Sequence, residues 1–150
     1  MSEPLDNLNA SPSDILPPKT ATGIAGLDEI LLGGVPLGRT TLIRGGPGTG
    51  KTVLALEFVY RGALKDEPGI YLSFEESAAT LRQNARALGW DLESPERRGR
   101  LALINPDLPT NFLKTGEFDI GGLLAILDGH IDKIGAKRIV IDASDVLLRL

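Results

Sequence analysis

The octet Gly45-Gly46-Pro47-Gly48-Thr49-Gly50-Lys51-Thr52 sits between a short β-branched run at residues 40–44 (TTLIR) and a long apolar segment at 51–64. It matches G-x-x-x-x-G-K-[S/T] and restricts the chain more than any other feature. Glycines let the backbone curl without Cβ clashes, so successive N–H groups point inward and form an anion cradle. A helix opening at Lys51 adds unpaired N–H donors and a dipole that favours negative charge. The pattern predicts a phosphate loop. Residues 45–50 would cradle the α- and β-phosphates, Lys51 would reach the β/γ oxygens, and the Thr52 hydroxyl would ligate Mg2+. The competing reading is a glycine-rich turn that matches by accident. With 18 Gly in the chain, the four fixed positions coincide in about 0.01 of chains of this composition.

The rest of the chain alternates in character. Residues 40–44 read as a strand and 51–64 as a buried helix. GIYLSF at 69–74 reads as a second strand. Residues 77–88 carry Leu81, Ala85 and Leu88 at i, i+4 and i+7, an amphipathic helix with Arg82 and Arg86 on its wet side. Residues 101–104 are a third strand, followed by a Pro-interrupted loop through Asp119. Leu123, Leu127, His130 and Ile134 line one face of a further helix, and RIVID at 138–142 is a fourth strand. This alternation predicts an α/β fold of βαβ units, a parallel sheet with helices on both faces. Right-handed crossovers place the C-terminal ends of the strands on one edge, where ligands bind.

Upstream, residues 1–18 are rich in Ser, Pro, Asn and Asp without a period, and a flexible tail through residue 19 is expected. From Thr20 the composition changes, with glycines around a short helix near 27–32. Gly33 and Gly34 suit its C-terminal end. The apolar segment 145–150 (DVLLRL) carries no cap or polar tail. It suggests that 20–150 is the N-terminal part of a longer domain, truncated after the 138–142 strand.

Composition narrows the function classes. The 150 residues hold no Cys, which excludes disulfides, a Cys-ligated zinc site and thiol catalysis. No run approaches the roughly 20 apolar residues of a membrane helix, and the N-terminus has no signal-peptide pattern. Net charge is −4, so broad electrostatic capture of nucleic acid is not expected. The composition fits a cytoplasmic protein.

A phosphate loop needs a metal-side acid and a group that positions the attacking water. Asp142 ends the apolar strand and suits the first role, holding Mg2+ directly or through water. The alternative is a cap on a following helix. Glu75 and Glu76 follow the second strand on the phosphate-loop edge. One could orient or deprotonate the nucleophile, or both could be first-turn glutamates favoured by a helix dipole. Adjacent side chains cannot both point into one site, so at most one is the base. His130, Trp90, Tyr60 and Tyr71 read as packing residues, and Arg97, Arg98 and Arg100 as a solvated basic turn.

Taken together, several segments resemble the RecA-like superfamily: Thr22-Gly23-Ile24 with Gly26-Leu27-Asp28, then Gly33-Gly34-Val35-Pro36 and Gly38, then GGPGTGKT. Tyr71-Leu72-Ser73-Phe74-Glu75-Glu76-Ser77, Gly116-Glu117-Phe118-Asp119 and Arg138-Ile139-Val140-Ile141-Asp142 make the resemblance specific to the KaiC family. It implies a RecA-like P-loop ATPase core binding ATP and Mg2+, in a ring-shaped homo-hexamer with ATP between subunits. Lys51 and Thr52 match the family's Walker A residues, Asp142 its Walker B acid, and Glu75 and Glu76 its paired catalytic glutamates. Those glutamates act on water or on a protein hydroxyl. The expected function is therefore an ATP-hydrolysing signalling ATPase, with a Ser/Thr autokinase using the same site as the alternative. A RecA/RadA-like DNA-repair ATPase is a further alternative, disfavoured by the acidic charge and the lack of Cys. Family domains continue past Walker B to basic residues that reach a neighbour's γ-phosphate, and these 150 residues stop short of them. A module that binds nucleotide without turning it over is the remaining reading.

Overall fold

The computed structural model describes residues 17–106 and 120–142. Most of the expected tail, the Gly116–Asp119 motif and the 145–150 segment lie outside the described residues. The chain divides into two compact units, Met1–Ile43 and Arg44–Leu150.

In the first unit, β1 (Lys19–Thr20) pairs antiparallel with β2 (Val35–Pro36), and α1 (Leu27–Ile30) lies between them in sequence. The ThrGly…GlyLeuAsp spacing has a local cause. The Asp28 carboxylate accepts from the Thr22 amide at 2.7 Å, the Thr22 hydroxyl at 2.6 Å and the Gly23 amide at 2.9 Å. Gly34 is obligatory: its φ is +117°, and a Cβ there would lie 2.0 Å from the Thr20 carbonyl oxygen. Neither the hairpin nor the Asp28 staple was legible in the periodicity, because two-residue strands carry none.

The second unit contains α2 (Lys51–Leu64), β3 (Gly69–Ser73), α3 (Ala78–Ala87), α4 (Glu93–Arg97), β4 (Leu101–Ile104), α5 (Ile120–Ile134) and β5 (Arg138–Asp142). Its sheet is parallel with order β4-β3-β5. β3 pairs with β5 from Gly69 opposite Arg138 to Ser73 opposite Asp142. Side chains alternate across this register. Tyr71 and Leu101 pack with Leu56 and Val59 of α2 and Leu81 and Ala85 of α3. Ile70, Leu72 and Ile104 pack with Leu123 and Leu127 of α5 on the opposite face. Helices thus cover both faces, as the pattern predicted.

The strand expected at 40–44 does not form. Residues 40–46 are irregular, with Leu42 62% and Ile43 45% exposed. A β-branched run becomes a strand only beside a partner in register, and among the described residues this one has no ladder. The octet therefore follows irregular chain. The helix α4 was not anticipated; at five residues it is too short for a periodic signal.

Close helix–sheet contact depends on Gly62, where a Cβ would stand 2.4 Å from Cδ and Nε of Arg138. That arginine is nearly fully buried. It donates to the Glu67 carboxylate from Nε at 2.7 Å and to the Phe58 carbonyl from its guanidinium at 2.8 Å, and it lies 4.5 Å over the Phe58 ring. Held on three sides, it has little room to retreat. Gly62→Ala is expected to destabilise the chain by about 1–3 kcal/mol, read as a lower urea midpoint at unchanged slope.

Candidate nucleotide-binding site

The octet folds as a tight curl leading into α2. Gly48 and Gly50 adopt positive φ of 75° and 84°, conformations that glycine adopts without a Cβ penalty. Within the curl the Thr49 hydroxyl donates to the Gly46 carbonyl at 2.9 Å, and Lys51 Nζ donates to the same oxygen at 2.9 Å. The loop's cation thus lies over the curl it would share with a phosphate. α2 starts without a side-chain cap and without an acidic residue in its first turn. Its leading N–H groups and dipole are therefore available to an anion. By contrast, α3 is capped by Ser77, whose hydroxyl oxygen accepts from the Thr80 amide at 3.2 Å.

Across the unit, the Thr52 hydroxyl donates to Asp142 Oδ2 at 2.9 Å. The residues are 90 positions apart in sequence. α2 packs on the sheet face toward which Asp142 alternates, so the first turn of the helix meets the end of β5. The helix-cap alternative for Asp142 falls on residues 143–150, outside those described. The Tyr71 hydroxyl also donates to Asp142 Oδ2, at 2.5 Å. Sequence reading treated Tyr71 as packing alone. Its ring is packed, being fully buried, but its hydroxyl reaches Asp142, the candidate metal-side acid. Burial first, then the Asp142 hydrogen bond, push the phenol well above its usual value, so it stays a donor at neutral pH. No periodicity reveals this, because an aromatic inside a strand is ordinary core material.

Glu75 and Glu76 leave β3 together but in different surroundings. Glu76 is tied down: its amide donates to the Ser73 hydroxyl at 2.9 Å, and its carboxylate accepts from Asn84 Nδ2 at 2.9 Å. Asn105 donates to the Ser73 carbonyl at 2.8 Å and the Glu76 carbonyl at 3.3 Å, bracing the same turn from β4's end. Glu75 is exposed, and its carboxylate has no hydrogen-bonded partner among the described residues. Asn84 and Asn105 escaped the sequence reading because hydrogen bonds across elements leave no spacing signal.

The packing residues behave largely as expected. Trp90 stacks on Tyr60 with centroids 5.8 Å apart, and His130 is half-buried beside the Leu123–Leu127 stripe. In the basic turn, Arg100 pairs with Asp66 at 2.6 Å. Among the described residues no helix is long and apolar enough to cross a membrane.

A family model described as "ATPase: KaiC" matches residues 20–149. The chain belongs to the KaiC family. It is 45% identical over 129 residues to the circadian clock oscillator protein KaiC of Parathermosynechococcus lividus, covering 84% of this chain and 24% of that protein. It is 44% identical over 131 residues to the circadian clock protein KaiC2 of a Synechocystis strain, covering 86% and 23%. A solved KaiC-like protein from the archaeon Pyrococcus horikoshii superposes with a TM-score of 0.76 at 36% identity, covering 90% of this chain and 58% of that one. The chain therefore spans about a quarter of the length of the curated relatives it matches. This KaiC-family homology carries the P-loop ATPase type and the RecA-like α/β fold over to these residues.

Proposed function

We propose that this KaiC-family domain binds Mg·ATP and hydrolyses it, with Glu75 preparing the attacking water. The observation that carries the reading is the Thr52–Asp142 contact, which joins the end of the phosphate loop to the end of the last described strand. A hydroxyl and a carboxylate are hard oxygen donors of the kind Mg2+ takes together with substrate phosphates. Thr52 and Asp142 would hold the ion, which when bound neutralises charge on the phosphate oxygens.

The chain's own groups supply the rest. Backbone N–H groups of 45–50 and the α2 N-terminus bind the phosphates, and Lys51 reaches the β/γ oxygens. The Glu75 carboxylate takes a proton from water as the water oxygen bonds to the γ-phosphorus. The bond from that phosphorus to the β–γ bridging oxygen breaks, releasing ADP and phosphate, and Glu75 returns its proton to solvent. Glu76, held by Asn84, keeps the turn in place. In a ring-shaped homo-hexamer the same site would lie between subunits, completed by a neighbour's basic residues.

The test is a time course with γ-labelled ATP and Mg2+ on the full-length protein, with Lys51→Ala as the blank. Label is expected as free phosphate. Label retained on the protein would replace hydrolysis by autophosphorylation, and no wild-type turnover above the blank would leave a binding module.

A further inference from the structure

We infer that Tyr71 is a positioning residue for the metal side of the proposed nucleotide site, acting through Asp142. The inference rests on the functional reading above and adds a residue to it. Three facts carry it. The ring of Tyr71 is fully buried between the sheet and its covering helices, so a phenylalanine would satisfy the packing. The hydroxyl nevertheless reaches Asp142 Oδ2 at 2.5 Å, from a position diagonal to Asp142 on the same sheet face. Thr52 donates to that same oxygen at 2.9 Å.

A terminal carboxylate torsion is broad, so an aspartate at a strand end has no orientation of its own. Two donors on one oxygen remove that freedom. They differ in kind, because Thr52 rides on the first turn of α2 beside the phosphate loop, whereas Tyr71 is anchored in the central strand. Tyr71 is the fixed point. It holds Oδ2 as the acceptor of the Thr52 proton, which turns the Thr52 oxygen lone pairs toward a cation. Outer partners of this kind set ligand orientation, and losing one typically weakens metal binding about 10- to 100-fold.

The test compares wild type with Tyr71→Phe in the full-length protein, using Mn2+ as the spin probe and ADP as the nucleotide. Mn2+ affinity of the ADP complex is expected to fall about 10- to 100-fold, while ADP affinity in EDTA changes less than about twofold. Mn2+ affinity within about twofold of wild type, or an equal fall in metal-free ADP affinity, overturns the inference. In an Asp142→Ala background, which removes the acceptor, adding Tyr71→Phe is expected to change nothing further; a second loss of the same size also overturns it. A measurement without substitution at 71 guards against misfolding. In 3-fluorotyrosine-labelled protein, the resonance missing from the Tyr71→Phe spectrum belongs to Tyr71. That resonance should shift when Mg2+ joins the ADP complex, and a stationary one counts against the inference. Wild-type protein that binds no Mn2+ with ADP would overturn the nucleotide reading itself. Normal wild-type binding with an indifferent Tyr71→Phe overturns only the role of Tyr71.

Discussion

Glu75→Gln is expected to lower ATP turnover by about 100- to 10,000-fold, the usual contribution of a positioned general base, with nucleotide affinity nearly unchanged. Glutamine keeps the size and polarity of the side chain and removes only its ability to take a proton. Glu76→Gln should lower turnover by less than about tenfold, because an amide oxygen still accepts from Asn84 and the turn keeps its brace. Single-turnover rates on pre-bound ATP measure the chemical step directly, and a fluorescent-nucleotide titration on the same samples measures binding. The reverse order of effects would make Glu76 the base. Two near-normal rates would place the base on another residue.

Lys51→Ala is expected to weaken ATP binding by about 2–5 kcal/mol, the range for truncating one partner of a hydrogen-bonded charge pair. That is roughly a 30- to 4,000-fold loss. Lys51 carries the ammonium that lies over the loop, donating to Gly46. Losing it leaves the backbone cradle and the helix dipole to bind phosphate alone. Circular dichroism should be unchanged, since the half-buried lysine makes no core contact in either hydrophobic cluster. Unaltered ATP affinity would remove residues 45–52 from the site.

Much of the fold was legible in the sequence. The bounds of α2, β4 and β5 agree with the periodicity to the residue, and those of β3 and α3 to within one residue at either end. α2, α3, β3 and β4 bury a repeating stripe or run, and burial is what periodicity records; β5 was legible from its apolar run although Ile139 and Ile141 stay exposed. The strand at 40–44 failed for the converse reason: β-branched residues permit extension, but a partner strand is required to make it a ladder.

By itself, the sequence determined the conformation of residues 45–52, because it is local: glycines supply the positive φ values, and Lys51 and Thr52 follow at fixed spacing. It also determined that acids would end two strands, since an apolar run that stops at a carboxylate is visible in one dimension. Only the tertiary structure decided how those groups combine. Parallel register and side-chain alternation bring Tyr71 and Asp142 to the face that α2 covers, so two hydroxyls meet one carboxylate oxygen. Likewise Asn84 and Asn105, from a helix and a strand end, fasten Glu76 and leave Glu75 without a partner among the described residues. Such contacts depend on which elements become neighbours when the core is buried, and the order of residues along the chain does not encode that distance.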